Sequence, residues 1–322
     1  MRGIRVEATG GPEVLRLAEL AEPTPGAGEV LVRVAAAGLN YIDTYHRGGL
    51  YPMPLPFTPG MEGAGTVVAL GEGVTRLAVG DRVAWASALG SYAESVCVRE
   101  DLAFAVPDGV DLELAAAVVL QGFTAHFLVS DTFPLGPGHR CLVHAGAGGV
   151  GLLLVQMAKR RGAEVFTTVG SPDKVELVTA AGADHVILYR DVEFGAAVEA
   201  IAGRKALDVV YDGVGRAVFD RSLDLLRPRG TMVNFGNASG AVEPLAPLRL
   251  MQGGSLFLTR PSLYDHLTTQ EERARRSGDV FGWIAAGELD VRIGARLALA
   301  DAAEAHRLLE GRATTGKVLL LP

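Results

Sequence analysis

Cysteine is nearly absent, with Cys97 and Cys141 the only two in 322 residues. Two thiols build neither a disulfide framework nor a cysteine-rich structural metal site, and their scarcity suits a reducing cytoplasm. Long hydrophobic runs are missing too. The apolar stretches at 115–120 and 149–157 are far shorter than a bilayer requires. The first residues show no basic, then apolar, then small-residue signal pattern, so neither membrane insertion nor secretion is expected. Basic charge is in short supply: the formal net charge is −7, and the densest basic patch, at 273–276, is flanked by Glu271 and Glu272. No nucleic-acid partner is expected from such a surface. Disorder is excluded from the other side, since 49% hydrophobic and 21% charged residues are ample for packed cores.

What is present is glycine, 41 residues of it, and a change of texture along a chain long enough for two domains. The first third is dense in turn signals, Pro23-Thr24-Pro25-Gly26 and Gly80-Asp81-Arg82-Val83 among them. These separate short apolar runs at 30–37 and 83–86 and predict many short strands. From about His139, short β runs alternate with helix-length segments, the rhythm of a parallel sheet. Strands are predicted at 141–144, 165–169, 185–189, 207–212, 231–235 and 255–259. Between them fall helices at 149–161, from Ser171-Pro172 toward Gly182, near 194–202 and near 219–226. Gly162 reads as a left-handed stop and Ser171 as an N-cap. Six such strands complete a doubly wound α/β sheet. The tail returns to helix at about Asp265 and ends in a strand at 316–321, which spacing assigns to the first domain.

Gly146-Ala147-Gly148-Gly149-Val150-Gly151 directly follows the first predicted strand and opens the first helix. A GxGxxG in that setting permits a tight turn, close backbone approach to a pyrophosphate and close packing of helix on strand. The helix start at Gly149, Val150 and Gly151 then faces the anion with free N–H groups. An NAD enzyme would place a carboxylate roughly 20 residues on, at the tip of strand two, to hold the ribose 2′-hydroxyl. Here that tip reads Thr167-Thr168-Val169-Gly170-Ser171, with Glu164 at the strand's beginning and Asp173 in the following helix. Gly170, Ser171 and Lys174 fall instead where a 2′-phosphate would lie, which favours NADPH over NADH. The plainer alternative keeps Ser171 as a helix cap and Lys174 as a solvated surface lysine.

Further strings extend along the chain: Ala37-Gly38-Leu39-Asn40-Tyr41-Ile42-Asp43-Thr44-Tyr45, Pro59-Gly60-Met61-Glu62-Gly63-Ala64-Gly65, Asp212-Gly213-Val214-Gly215, Asn234-Phe235-Gly236-Asn237 and Thr259-Arg260-Pro261-Ser262. Together with the glycine motif they span nearly all of it. On these residues the chain resembles the zinc-independent quinone oxidoreductases of the medium-chain dehydrogenase/reductase superfamily. The resemblance implies a GroES-like, β-rich catalytic domain from 1–124 together with 262–322, a Rossmann NADPH-binding domain over 125–261, and an active cleft at their junction.

In zinc-dependent relatives a cysteine would stand at Asn40, a histidine at Met61 and a further ligand at Gln121, so no metal is expected. An improvised site from Asp43, His46 and Glu62 is disfavoured, Glu62 being read as a structural or cleft carboxylate. The resemblance puts Asn40, Tyr45 and Tyr51 at the nicotinamide end as catalytic candidates. It sets Tyr189 beside Lys174 at the 2′-phosphate, and Phe235, Gly236 and Asn237 under the nicotinamide ribose. Arg312, in Gly311-Arg312-Ala313-Thr314, would reach a phosphate from the tail, whose continuation Thr315-Gly316-Lys317 departs from the family's usual ending. Each tyrosine also reads as a half-buried packing aromatic. The implied activity is NADPH-dependent reduction of a quinone or related conjugated carbonyl. Alternatives are an enone, alkenal or enoyl-thioester reductase, and a non-catalytic NADPH-binding protein of structural, regulatory or RNA-associated role. A cytoplasmic homodimer joined through the strand near 255–260 completes the expectation.

Overall fold

The computed structural model describes residues 1–322. Turn residues interrupt every apolar run in the first third, and the outcome is a series of short strands. In chain order they are β1 (Arg2–Arg5), β2 (Arg16–Glu19), β3 (Glu29–Gly38), the helix α1 (Tyr41–Gly48), β4 (Glu62–Leu70), β5 (Arg82–Ala86), β6 (Ser95–Arg99) and β7 (Ala103–Ala105), followed by α2 (Leu112–Phe127). The turn read at Gly80-Asp81 is made as its sequence suggests. Gly80 takes φ 98°, and the Asp81 carboxylate accepts the Ala78 N–H at 2.8 Å. The middle of the chain alternates β8 (Arg140–Val143), α3 (Gly149–Arg160), β9 (Glu164–Val169), α4 (Val175–Ala180), β10 (His185–Leu188), α5 (Phe194–Ala202), β11 (Leu207–Asp212), α6 (Phe219–Leu225), β12 (Leu226–Asn234), α7 (Pro247–Gly254) and β13 (Phe257–Thr259). Last come α8 (Gln270–Ala285), β14 (Ile293–Ala298), α9 (Ala302–Glu310) and β15 (Lys317–Leu321).

Two compact units result, Met1–Phe123 with Gln270–Pro322, and Thr124–Thr269. The first holds a seven-stranded sheet in the order β14-β15-β3-β4-β5-β7, with β6 also paired to β3. β15 lies antiparallel to β3 with Leu319 opposite Gly38, which ties the chain's last strand to its third. Val32, Val67, Trp85, Val98 and Leu320 meet in the core against this sheet. In the second unit six strands, all parallel, take the order β10-β9-β8-β11-β12-β13. The chain therefore winds outward from β8 to β10, then returns to β11 and winds the other way. That reversal between β8 and β11 is the topological switch point, where the carboxyl ends of the strands leave a crevice for a ligand. Leu142, Phe166, Val210 and Met232 fill one face of this sheet with the apolar sides of α5 and α6.

Several elements depart from their sequence reading. β12 starts at Leu226 and not at 231, because the turn-like Pro228-Arg229-Gly230 is absorbed by a register shift between Leu207 and Val209 of β11. β13 starts two residues late, since Ser255 adopts φ 56° to cap α7. Residues 262–269, read as part of the first domain, group with the second unit, where the His266 ring stacks on Phe127 at 4.2 Å. Ser171 has the extended backbone of an N-cap but makes no capping hydrogen bond with its side chain. Its hydroxyl goes to the Asp173 carboxylate, which that bond holds below the usual carboxylate range. The helical run Leu112–Thr132 is also longer than the apolar stretches suggested. It passes for a membrane span by length and composition, and 72% of that window is buried inside the protein.

Candidate functional site

The glycine-rich turn at the end of β8 is shaped by what has no room to exist there. A Cβ on Gly146 would collide with Thr167 Oγ1, and one on Gly151 with the Ala145 carbonyl oxygen. Ala145 itself sits at φ 54°, so the chain turns back within four residues and Gly148 caps α3 from an extended conformation. The first-turn N–H groups of a helix have no intrahelical partner, so Gly149, Val150 and Gly151 present donors at the switch point. No acidic side chain occupies that first turn.

A buried histidine, unremarked in the sequence, braces this turn from behind. Ser222 donates to the Val218 carbonyl, so at 2.9 Å from it His144 Nε2 must be the donor. Nδ1 is left to accept from Thr168 Oγ1 at 3.1 Å, and the same hydroxyl oxygen accepts the Ala145 N–H. Burial lowers the His144 pKa to about 3, which keeps the ring neutral and the chain of bonds in one sense.

Beyond β9, Gly170 and Tyr189 are brought together: a Cβ on Gly170 would lie 2.8 Å from the Tyr189 hydroxyl. Ser171 and Lys174 occupy the short 3₁₀ turn that follows, Lys174 half-buried. At the ends of β11 and β12 two loops pack backbone on backbone. Phe235 N–H donates to the Asp212 carbonyl at 2.8 Å, its ring covers Gly213, and Gly236 approaches Gly213 so closely that no side chain fits at 236. The Asp212 carboxylate ties the loops together by accepting from Val214 N–H, Gly215 N–H and Asn234 Nδ2. Burial raises its pKa despite those donors. Asn237 follows directly in this loop, half-buried.

In the first unit, Asn40 is the N-cap of α1 and is buried. Its amide is committed on every side: Nδ2 donates to Glu62 Oε2 at 2.7 Å and to the Gly38 carbonyl at 3.2 Å. Oδ1 accepts from Gln121 Nε2 at 3.0 Å and Lys317 Nζ at 2.9 Å. Lys317 also forms a buried ion pair with Glu62. Tyr45 and Tyr51 meet edge to face at 5.2 Å, with His46 and Tyr41 beside them. Asp43 receives the Asn40 N–H at 2.8 Å and the Tyr92 hydroxyl at 3.1 Å, yet burial pushes its pKa up to about 7. Arg312 is exposed in the turn after α9, at φ 57°. Sequence reasoning missed Tyr92 and, at the centre of this network, Lys317. Its only signal was a lone cation opening the otherwise apolar Lys317–Leu321 strand.

A GroES-like β unit with its C-terminal strand folded back, and a six-stranded Rossmann unit with a glycine cradle, define a medium-chain dehydrogenase/reductase. Residues 26–108 match the family model "Alcohol dehydrogenase GroES-like domain" and residues 149–277 match "Zinc-binding dehydrogenase". A quinone oxidoreductase of Pseudomonas aeruginosa is 46% identical over 99% of both chains. The crystal structure of the Escherichia coli quinone oxidoreductase complexed with NADPH superposes with a TM-score of 0.97 at 43% identity, covering 100% of each chain. A 2-haloacrylate reductase of a Burkholderia species is 37% identical over 98% of each. This chain belongs to the quinone oxidoreductase family.

The second family description names zinc, and the donor set can be tested against it. Amides at Asn40 and Gln121 and a thioether at Met61 are poor zinc ligands, and a lysine ammonium already lies on Asn40 Oδ1 and Glu62. No three His, Cys, Asp or Glu side chains gather anywhere to hold a metal ion. These residues do not fit a catalytic zinc.

Proposed function

We propose that this protein reduces quinones with NADPH, without a metal. The observation that carries the reading is the glycine turn at the switch point, where Gly146 packs on Thr167 and Gly151 on Ala145 so closely that any Cβ would push the helix start and its N–H donors out of place. Pyrophosphate binding by Gly146, Gly148, Gly149, Val150 and Gly151 follows from helix-start donors facing an anion. At the 2′-phosphate, Lys174 supplies charge, Gly170 close approach, Ser171 its backbone N–H and Tyr189 a hydroxyl donor. Phe235, Gly236 and Asn237 support the nicotinamide ribose, and the family resemblance assigns Arg312 to a phosphate. The E. coli relative's complex with NADPH supports the choice of cofactor.

NADPH supplies a hydride from C4 of its nicotinamide. Reduction of the acceptor asks little acid–base chemistry of the chain, since hydride addition to the quinone gives a delocalised hydroquinone monoanion, which takes one proton from water. Holding donor and acceptor in register in a dry site carries most of the barrier reduction. Tyr45 or Tyr51 donates a hydrogen bond to the oxygen where negative charge develops. Asn40, its amide already spoken for, orders the start of α1.

The Burkholderia relative favours one further reading, reduction of an activated alkene, in which Tyr45 or Tyr51 would deliver the proton to the α carbon. NADPH oxidation across a quinone, an enal and an enoyl thioester, with and without a chelator, separates the two. Fastest turnover of the quinone, indifferent to chelation, is expected. Preference for NADH, or activity lost on chelation, removes the proposal. Tyr51→Phe is expected to lower kcat for quinones, and unchanged kinetics would take that tyrosine out of the mechanism.

A further inference from the structure

An ammonium enclosed by protein is costly unless its partners replace water, and Lys317 is enclosed almost completely, its side chain 1% exposed. Those partners are specific. Nζ donates to Glu62 and to Asn40 Oδ1, while Glu62 also accepts the Leu120 N–H at 2.6 Å on its other oxygen. The arrangement gives the Asn40 amide a sense: nitrogen toward Glu62, oxygen toward Lys317 and Gln121. A flipped amide would set its NH₂ against an ammonium and its oxygen against a carboxylate.

The seat is built for this pair. A Cβ on Gly38 would lie 2.5 Å from Glu62 Oε2 and 2.7 Å from both Lys317 Cε and the Ala116 carbonyl oxygen, so only glycine leaves the space. The register of β15 on β3, Leu319 opposite Gly38, delivers Lys317 to it. Asn40 in turn starts α1, the helix that carries Tyr45 and leads on to Tyr51, whose N–H donates to the Tyr45 carbonyl at 3.2 Å.

We infer that Lys317 is a positioning residue for the acceptor side of the reaction: seated on Glu62, its ammonium locks the Asn40 amide in one orientation and so fixes the residue whose N–H is held by the Asp43 carboxylate at the start of α1. Only the kinetic readout below rests on the proposed quinone reduction. A lone carboxylate left by Lys317→Met destabilises the fold, so the informative variant is Lys317→Met combined with Glu62→Gln, which removes both charges.

The double variant is expected to regain the melting temperature that Lys317→Met loses. Its kcat for a benzoquinone is expected to stay ~10-fold to ~100-fold below the parent's, with the dissociation constant for NADPH unchanged. A purely structural ion pair would move stability alone, so a double variant with parental kcat overturns the inference. Side-chain amide resonances of Asn40, in asparagine-labelled protein, give a readout independent of activity. One set of Asn40 side-chain amide resonances, protected from solvent exchange, is expected in the parent, and doubled or exchange-broadened ones with lost protection in both variants. Unchanged Asn40 resonances in the variants overturn the inference. If the parent turns over no quinone, the functional proposal fails by itself, and the resonances still decide the role of Lys317.

Discussion

Asp43 shows how far a single buried carboxyl can be driven from its ordinary behaviour. Burial outweighs the Asn40 N–H, the Lys317 charge and the Tyr92 hydroxyl, and raises the pKa from 3.8 to about 7. A group that holds its proton more tightly folded than unfolded stabilises the fold fully below pH 3.8, and that contribution is lost as the pH rises through about 7. Asp43→Asn is therefore expected to flatten the melting-temperature profile between pH 4 and pH 7, a window in which each unit is worth up to ~1.4 kcal/mol. An unaltered profile would show that Asp43 ionises normally. Lys174 offers a second test at this scale. If it meets the 2′-phosphate, Lys174→Ala deletes a charge-assisted bond worth about 1.5–3 kcal/mol, hence a ~10-fold to ~100-fold weaker NADPH complex. NADH binding is expected to be unchanged in a fluorescence titration, and equal weakening of both cofactors would make the lysine structural.

The helix α3 and its turn succeed as an element because the glycines that weaken a helix in isolation are the ones that let it approach β8 and its neighbour. Gly151 lies against Ala145 and Gly146, its imagined Cβ 2.9 Å from two Gly146 atoms. Gly151→Ala is expected to cost ~1–3 kcal/mol of stability by overpacking. NADPH affinity is expected to fall with it, because the first-turn donors move away from the anion. Gly282, on α8, makes the contrast: nothing lies within 4 Å of a Cβ there. Gly282→Ala is expected to stabilise by ~0.5–1 kcal/mol through helix propensity alone, with cofactor binding untouched. Thermal melts of the two variants side by side check the pair, and a destabilised Gly282→Ala would contradict it. The α3 turn was legible because strand, glycines and helix sit within a dozen residues, each constraining the next. The Asn40 network was not, since Gly38, Glu62, Gln121 and Lys317 meet only after β15 has crossed the length of the sequence to pair with β3.

At the scale of the whole molecule, the alternating rhythm of the second unit translated almost directly into sheet order, because parallel strands buried on both faces must be continuous apolar runs. Its edge is where that logic leaves something over. β13 is the last strand of the six, and Phe257 is 60% exposed, Leu258 39%, with Leu248 and Met251 of the adjoining α7 at 58% and 59%. An edge that is short but apolar invites pairing with another strand, and a second copy of the same edge, related by a two-fold, is self-complementary. The proposed homodimer would thus run its sheet from one chain into the next. A charge at the centre of that contact cannot be solvated once the strands pair, so Phe257→Lys is expected to yield a monomer that still binds NADPH through the distant β8 turn. Light scattering with a cofactor titration on the same sample checks both halves. A parent that is already monomeric, or a Phe257→Lys variant that stays dimeric, would place the association elsewhere and leave these four side chains as surface alone.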